Sequence, residues 1–480
     1  MTSKNFIALE ISDSLKYPDA PFNPPQKYAE FKPSQIIRDL DKSNEVYSSV
    51  RESFHLLGLD NENFGTDSWN PFSEFVKAGD NVVIKPNLVN DKHVLGVEGT
   101  SCTITHASIV RTIIDYVLLA TDGKCNIVIC DVPLQTADWN HLIEKSGMKK
   151  LVNYYLDKGV SIQLLDMRKE IAHTKSEIIV ERTIHNGDPL GYKAVDLGDK
   201  SELMPIIAYY KRLEITDYGK GTVSLYHNPY KNEYCIPKTI LNSDVFINVP
   251  KMKTHRKAGL TCAMKNLIGI NGDKKWIAHH RRGNKNSGGD EYPELKSALW
   301  LKWHLWELLK RHHSLYPLAL ALKKMYLGKK TLKEYSLTNN TEMMEGSWYG
   351  NDTLWRCILD INKILFYADK DGLMSQNVQR RYFCVVDGIV SAEGEGPMHG
   401  HPKYTGIIMA GFNPVAIDKI CADLMGFDYT KIPQIKGGFS SKIWDLTNFD
   451  VDDVATNLEK VPNFNFRASG GWIGHVEKSE

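Results

Sequence analysis

The 480-residue sequence predicts an α/β fold: mostly parallel sheets flanked by helices, in two lobes with a cleft between them, plus a helical insertion. Two observations carry this expectation. Short β-branched apolar runs recur, each stopped by a polar, Pro or Gly residue, which is the pattern of strands buried on both faces. Helical periodicity lies between some of these runs, and strands alternating with helices make an α/β architecture.

Residues 1–35 carry Pro18, Pro21, Pro24, Pro25 and Pro33 with little periodicity, and read as an extended arm. Helical patterning follows from Ser34 to Leu57. The first strand run, Asn81–Ile84, stops at Lys85-Pro86-Asn87. Over Ala107–Leu119, the apolar residues Ile109, Val110, Ile113, Ile114, Val117 and Leu118 outline one helix face. Asn126–Cys130, Asp244–Val249 and Phe383–Val386 are further strand runs, stopped at Asp131, Pro250-Lys251 and Asp387-Gly388. Thr405–Ala410 reads as a strand. A helix Val415–Met425 follows, with Asn413 as N-cap, Pro414 at its first position and Gly426 as its stop.

These elements divide the chain into an arm and helical segment (1–80), an α/β lobe with a basic Lys/His motif (81–283), a Trp/Lys-rich helical insertion (284–350) and a C-terminal α/β lobe with an acidic Gly-rich loop (351–480). Within the insertion, Leu299–Lys330 holds seven Lys/Arg against Glu307 alone, with Trp300, Trp303 and Trp306 close together. It reads either as an amphipathic hairpin making peripheral contact with an anionic membrane surface or as a subdomain packed on its own protein.

Lys+Arg (59) against Asp+Glu (58) leaves a net charge of +1, so no nucleic-acid partner is expected. The total hides an imbalance. Lys251–Lys285 holds ten Lys/Arg and only Asp273, a net of +9, whereas Val385–Lys460 has a net of −5. The eight cysteines form no C-x-x-C pair, so an iron–sulfur cluster is not expected and reduced, buried thiols are. The N-terminus lacks a signal-peptide core, and no stretch reaches the roughly 18 apolar residues of a membrane span; the expected location is the cytoplasm.

Ligands of open α/β sheets sit beyond the carboxyl ends of strands, where this sequence has Lys85, Asn87, Asp131, Lys251 and Asp387. In the stretch Asn248–Gly269, Lys251, Lys253 and Lys265 are suited to carboxylate or phosphate, with Thr261 and Asn266 beside them. His255 could move a proton near neutral pH. Crowded cations also depress a lysine pKa, which makes one of them a base or a covalent partner. Of the adjacent pair His279-His280, only one imidazole can face the site, and His280 is the candidate metal ligand.

Gly99–His106 leads into the helix after the first strand run, with Ser101, Thr103 and Thr105 as N-cap candidates; His106 is either a capping residue or a catalyst. The loop Asp387–Gly400 offers Asp387, Glu393, Glu395 and His399 for a metal or for closure over a substrate. Asp418, in the first turn of its helix, complements the helix dipole or joins the site as a metal ligand.

Four blocks together resemble the family catalogued as domain of unknown function 362. They are Lys85-Pro86-Asn87; Pro250-Lys251-Met252-Lys253-Thr254-His255 with Gly259, Thr261, Lys265-Asn266 and Gly269; Val386-Asp387-Gly388 with Glu393–Pro397; and Asn413–Asp418. More distantly, the arrangement is similar to the nickel-pincer lactate racemase superfamily. That resemblance implies His106 and His255 as a paired acid and base, Lys265 as the cofactor anchor and His280 on nickel. The glycine pair and Pro-Gly flanking that family's lysine are replaced here by Cys262-Ala263 and Asn266…Gly269.

The expected function is two-histidine proton transfer, racemase- or epimerase-like, on a small anionic or sugar-derived substrate. Lys85, Asn87, Lys251, Lys253, Thr261 and Asn266 would bind it, and Asp131 would orient an imidazole. A divalent metal, nickel by resemblance or else Mg or Mn, would be held by His280, Asp387, Glu393 and Asp418. Two rival readings are a peripheral membrane protein binding phosphate-bearing lipid or glycan, and metal-dependent phosphoryl or glycosyl transfer in surface-polysaccharide synthesis.

Overall fold

The computed structural model describes residues 3–31, 39–175, 178–293 and 343–478. A ten-stranded sheet runs through it. Its strands are β1 (Phe6–Ile11), β2 (Asn81–Pro86), β3 (Asn126–Asp131), β4 (Ile162–Asp166), β5 (Val245–Val249), β6 (Lys251–His255), β7 (Gly259–Thr261), β8 (Arg381–Glu395), β9 (His399–Gly411) and β10 (Ala455–Thr456). The order across the sheet is β10-β1-β9-β8-β5-β2-β3-β4, with β6 and β7 attached beside β8. β9 is antiparallel to both its neighbours, and the other seven strands of this path share one direction. The expected class, a mostly parallel sheet flanked by helices, is what the chain forms.

Among the described residues, the α-helices of about two turns or more are α1 (Glu45–Leu56), α2 (Gly96–Thr103), α3 (Ala107–Thr121), α4 (Trp139–Lys145), α5 (Met148–Leu156), α6 (Leu354–Tyr367), α7 (Pro414–Met425) and α8 (Pro433–Ser440). Successive strand residues enter opposite cores, as the two-residue period of a strand requires. Val82, Ile84, Ile247 and Phe383 pack with α1, α3 and α5. Val83, Phe246, Cys384 and Val386 pack with α6, α7 and α8. Both faces being apolar is the reason these runs carry no alternation.

The strands of the two expected lobes lie in this one sheet, because β5 hydrogen-bonds to β8 in parallel register. The arm also contributes β1, between β10 and β9. Three local expectations are corrected. Asp387–Gly400 is no flexible loop: β8 pairs with β9 from Cys384↔Gly411 to Glu395↔His399, with a bulge after Gly388. Backbone pairing needs no side chains, so the glycines there hid a strand. Gly99–Thr103 belongs to a separate helix, α2, and the cap of α3 is His106 rather than Ser101, Thr103 or Thr105. The Ser34–Leu57 helical pattern yields α1 only from Glu45, capped by Asn44, whose side chain accepts from Tyr47 N–H at 3.0 Å; residues 32–38 lie outside the described residues.

All eight cysteines are free thiols. Among the described residues no single helix is long and apolar enough to cross a membrane. Residues 294–342, and with them the Trp/Lys-rich stretch, lie outside the described residues.

Candidate functional site

The carboxyl ends of β2 and β3, the 263–270 segment and the tip of the β8–β9 hairpin line a partly open cavity of about 60 Å³. Its volume suffices for a few water molecules or one small ligand. Among its lining residues are Lys85, Asn87, Asp131, Lys253, Thr261, Lys265, Asn266, Gly269, Lys274 and Pro397. Six of the expected substrate and catalytic residues are therefore brought together: Lys85, Asn87, Asp131, Lys253, Thr261 and Asn266, and Lys265 makes a seventh.

Part of this set is a closed scaffold. Lys85 Nζ donates to Asp131 Oδ1 at 2.7 Å, to Pro86 O at 2.9 Å and to Asn266 Oδ1 at 3.1 Å, which uses all three protons. Asp131 also accepts from the N–H groups of Leu88 and Val132. Asn266 Nδ2 donates to Asn248 Oδ1 at 2.7 Å, and Asn248 donates on to Ala263 O and Tyr382 Oη. Gly269 belongs here because a Cβ would stand 2.4 Å from Asp131 Oδ1 and 2.7 Å from Lys85 Nζ. Asp131 is thus the counterion of Lys85, and its carboxylate is fully engaged.

The remaining cations have no such balance. Lys253 is buried with only the Thr103 carbonyl as acceptor, and burial holds its pKa well below the usual range. Lys274 reaches Val132 O at 3.4 Å, and burial pushes it down to about 8. Lys265 has no side-chain hydrogen bond or ion pair among the described residues. Burial first, then the charges of Lys274 and Lys85, push it down to about 7. Asn87 Oδ1 and Thr261 Oγ1, also on the cavity, are buried without partners. A buried ammonium without a counterion is costly, and a bound anion removes that cost.

Sequence reasoning missed Lys274, and neither imidazole of the His279-His280 pair lines the cavity. Lys274 was legible only as one charge in the +9 segment. Burial, then Lys257, Lys265 and Lys274, hold His279 well below its usual pKa, and its Nδ1 is unpartnered. His280 Nδ1 is likewise buried without a hydrogen-bond partner among the described residues, and the His280 backbone pairs with Glu214 in a short two-stranded sheet. His255 stands behind the cavity rather than on it; its Nδ1 accepts from Lys257 N–H at 3.1 Å. Burial, then Lys265, keeps it neutral.

Other expected site residues stand apart. His106 does not line the cavity: it caps α3, with Nδ1 2.8 Å from Ser108 Oγ, and its ring stacks on Tyr17 with centroids 4.2 Å apart. Lys251 and Asp387 form a buried ion pair at 3.1 Å, shared with the Tyr17 hydroxyl. Glu393 pairs with Lys403 at 3.3 Å and accepts from Arg467 N–H. Asp418 is buried against the Met264 N–H. The four expected metal ligands, His280, Asp387, Glu393 and Asp418, therefore lie in four separate environments. Among the described residues no group of three His, Cys, Asp or Glu could hold a metal ion. With His106, His255 and His280 all off the cavity, the residues present do not fit a nickel pincer.

Thylakoid-associated protein sll1697 of Synechocystis sp. is 39% identical over 49 residues, which are 10% of this chain and 15% of that relative's length. The chain thus spans only a small part of this curated relative. No solved structure matches. The family pattern matches residues 82–188 and 199–423, which include every cavity residue named above. The chain belongs to the family described as Domain of unknown function (DUF362).

Proposed function

We propose that the chain is an enzyme that binds a small anionic or sugar-derived substrate in this cavity and moves a proton on it. Lys265 is the acid–base group, and Lys253 and Lys274 hold the anion. One observation carries the reading: four lysines line a small cavity, and the one carboxylate among its described lining residues, Asp131, is already taken by Lys85. An amine that is partly neutral near pH 7 can take a proton from a carbon acidified by a neighbouring carbonyl. The flanking ammonium groups stabilise the enolate charge that develops. This keeps proton transfer, the racemase- or epimerase-like chemistry expected from the sequence, but moves it from two histidines to a lysine, with His255 one layer behind. No metal is assigned a step.

Solvent-deuterium incorporation into small hydroxy, keto and sugar acids, followed by NMR, tests it. Wild type exchanges a carbon-bound proton and Lys265→Met loses that exchange; exchange retained in Lys265→Met overturns the assignment. We place the protein in the cytoplasm. A second reading, peripheral membrane contact through residues 299–330, draws on the description of the Synechocystis relative as thylakoid-associated. Flotation of the full chain with anionic-lipid vesicles tests that reading, and protein left at the bottom of the gradient overturns it.

A further inference from the structure

We propose that Lys265 forms an imine with a small carbonyl compound that also carries an anionic group, with the carbonyl carbon bonded to Nζ and the anionic oxygens against Lys253 and Lys274. The inference rests on the anion-binding reading of the cavity and adds a covalent step to it.

The neighbouring lysines isolate Lys265 as the one free to react. Lys85 has three acceptors, Lys251 has Asp387 and Tyr17, and Lys253 has the Thr103 carbonyl. Lys257 Nζ donates to Thr216 Oγ1 at 3.2 Å and Lys274 reaches the Val132 carbonyl. Lys265 has no such acceptor among the described residues, and it lines the cavity. A lone pair attacks a carbonyl only when the amine is neutral. Burial and the surrounding cations supply that state near pH 7, since they push the group down to about 7.

The cavity also provides the acid. Lys265 Nζ adds to the carbonyl carbon, the C=O π bond breaks, and one Nζ proton passes to the alkoxide oxygen to give a neutral carbinolamine. Lys274, pushed down to about 8, still holds its proton at pH 7 and releases it readily. Its proton goes to the carbinolamine hydroxyl, the C–O bond breaks and water leaves. A protonated imine remains on Lys265 and a neutral amine on Lys274. One amine, one carbonyl and one proton thus give one iminium and one water, with nothing oxidised or reduced. The iminium draws electrons from the adjacent carbon, which makes the proton there easier to move.

The test uses the full chain, glyoxylate as probe and sodium cyanoborohydride to trap the imine, read by intact mass and peptide mapping. The expected result is one carboxymethyl group, on Lys265, formed at least about tenfold faster than on the exposed Lys442 at pH 7. Its rate rises with pH to a midpoint near 7, and inorganic phosphate slows it. Lys274→Met slows labelling at Lys265, and Lys265→Met removes it. Labelling of Lys265 no faster than Lys442 overturns the imine. A parallel thermal melt separates the two readings. If phosphate raises Tm while Lys265 stays unlabelled, the imine fails and the anion site stands; if phosphate neither raises Tm nor slows labelling, the anion site fails as well.

Discussion

Asp418 lies beside the 262–266 segment, where burial pushes its carboxyl up to about 8 although the Met264 N–H donates to it. A carboxyl whose pKa is raised on folding favours the folded state fully only below its unfolded value. That contribution is lost as pH rises through the folded value, here between about 4 and about 8. At about 1.4 kcal/mol per pKa unit the loss is on the order of a few kcal/mol. Chemical denaturation from pH 4 to 9 is therefore expected to show stability falling in wild type and a flatter profile in Asp418→Asn. Arg380 is the opposite kind of buried charge. Its guanidinium donates to the carbonyls of Ile240, Leu241, Leu365 and Ala368, tying the segments before β5 and β8 together. Arg380→Met leaves those carbonyls short of donors and is expected to cost several kcal/mol, about 1–3 for each buried group stranded. Residue types such as Lys265 were legible in the sequence. Their partners were not, because a counterion such as Asp131 for Lys85 comes from another strand.

At the scale of elements, the N-terminus of α3 decides what His106 does. Its ring accepts from Ser108 N–H at 3.3 Å and is held between Tyr17 and Phe22. His106→Ala is expected to lower stability by about 1 kcal/mol, the usual cost of a lost N-cap, with His106→Asn recovering much of it. The phosphate-induced rise in Tm should persist in both variants; its loss in the Asn variant would return His106 to the site. The β8–β9 hairpin makes a second prediction. Arg256 N–H donates to Gly396 O at 3.1 Å, and a Cβ at Gly396 would stand 1.9 Å from Thr254 O. Gly396→Ala must therefore shift β6, the strand of Lys253. Loss of the phosphate response with the rest of the fold retained by circular dichroism is the expected outcome. The parallel strands were legible because burial on both faces leaves an unbroken apolar run. The length of β8 was not, because Gly388 and Gly394 resemble loop residues until β9 pairs beside them.

Across the whole molecule, the N-terminal arm is tied to the centre of the sheet. Tyr17 Oη donates to Asp387 Oδ1 at 2.6 Å, and the other carboxylate oxygen meets Lys251 Nζ at 3.1 Å and His106 N–H at 2.9 Å. Both members of this ion pair are fully buried. Asp387→Ala strands a buried ammonium and is expected to cost about 3–5 kcal/mol, measured by denaturant unfolding, whereas Tyr17→Phe removes one neutral partner and costs about 1 kcal/mol. The sequence by itself determined the α/β class, the main strand positions, the α7 helix with its Asn413 cap and Gly426 stop, and three of the lysines that line the cavity, Lys85, Lys253 and Lys265. Those features follow from local periodicity, backbone chemistry and residue type. Only the tertiary structure decided that the +9 and −5 segments meet in the Lys251–Asp387 pair, that His106 serves a helix, and that Lys265 is left without an acceptor. Charge pairing depends on which strand ends the sheet brings within a few ångströms, and no short window of sequence holds that distance.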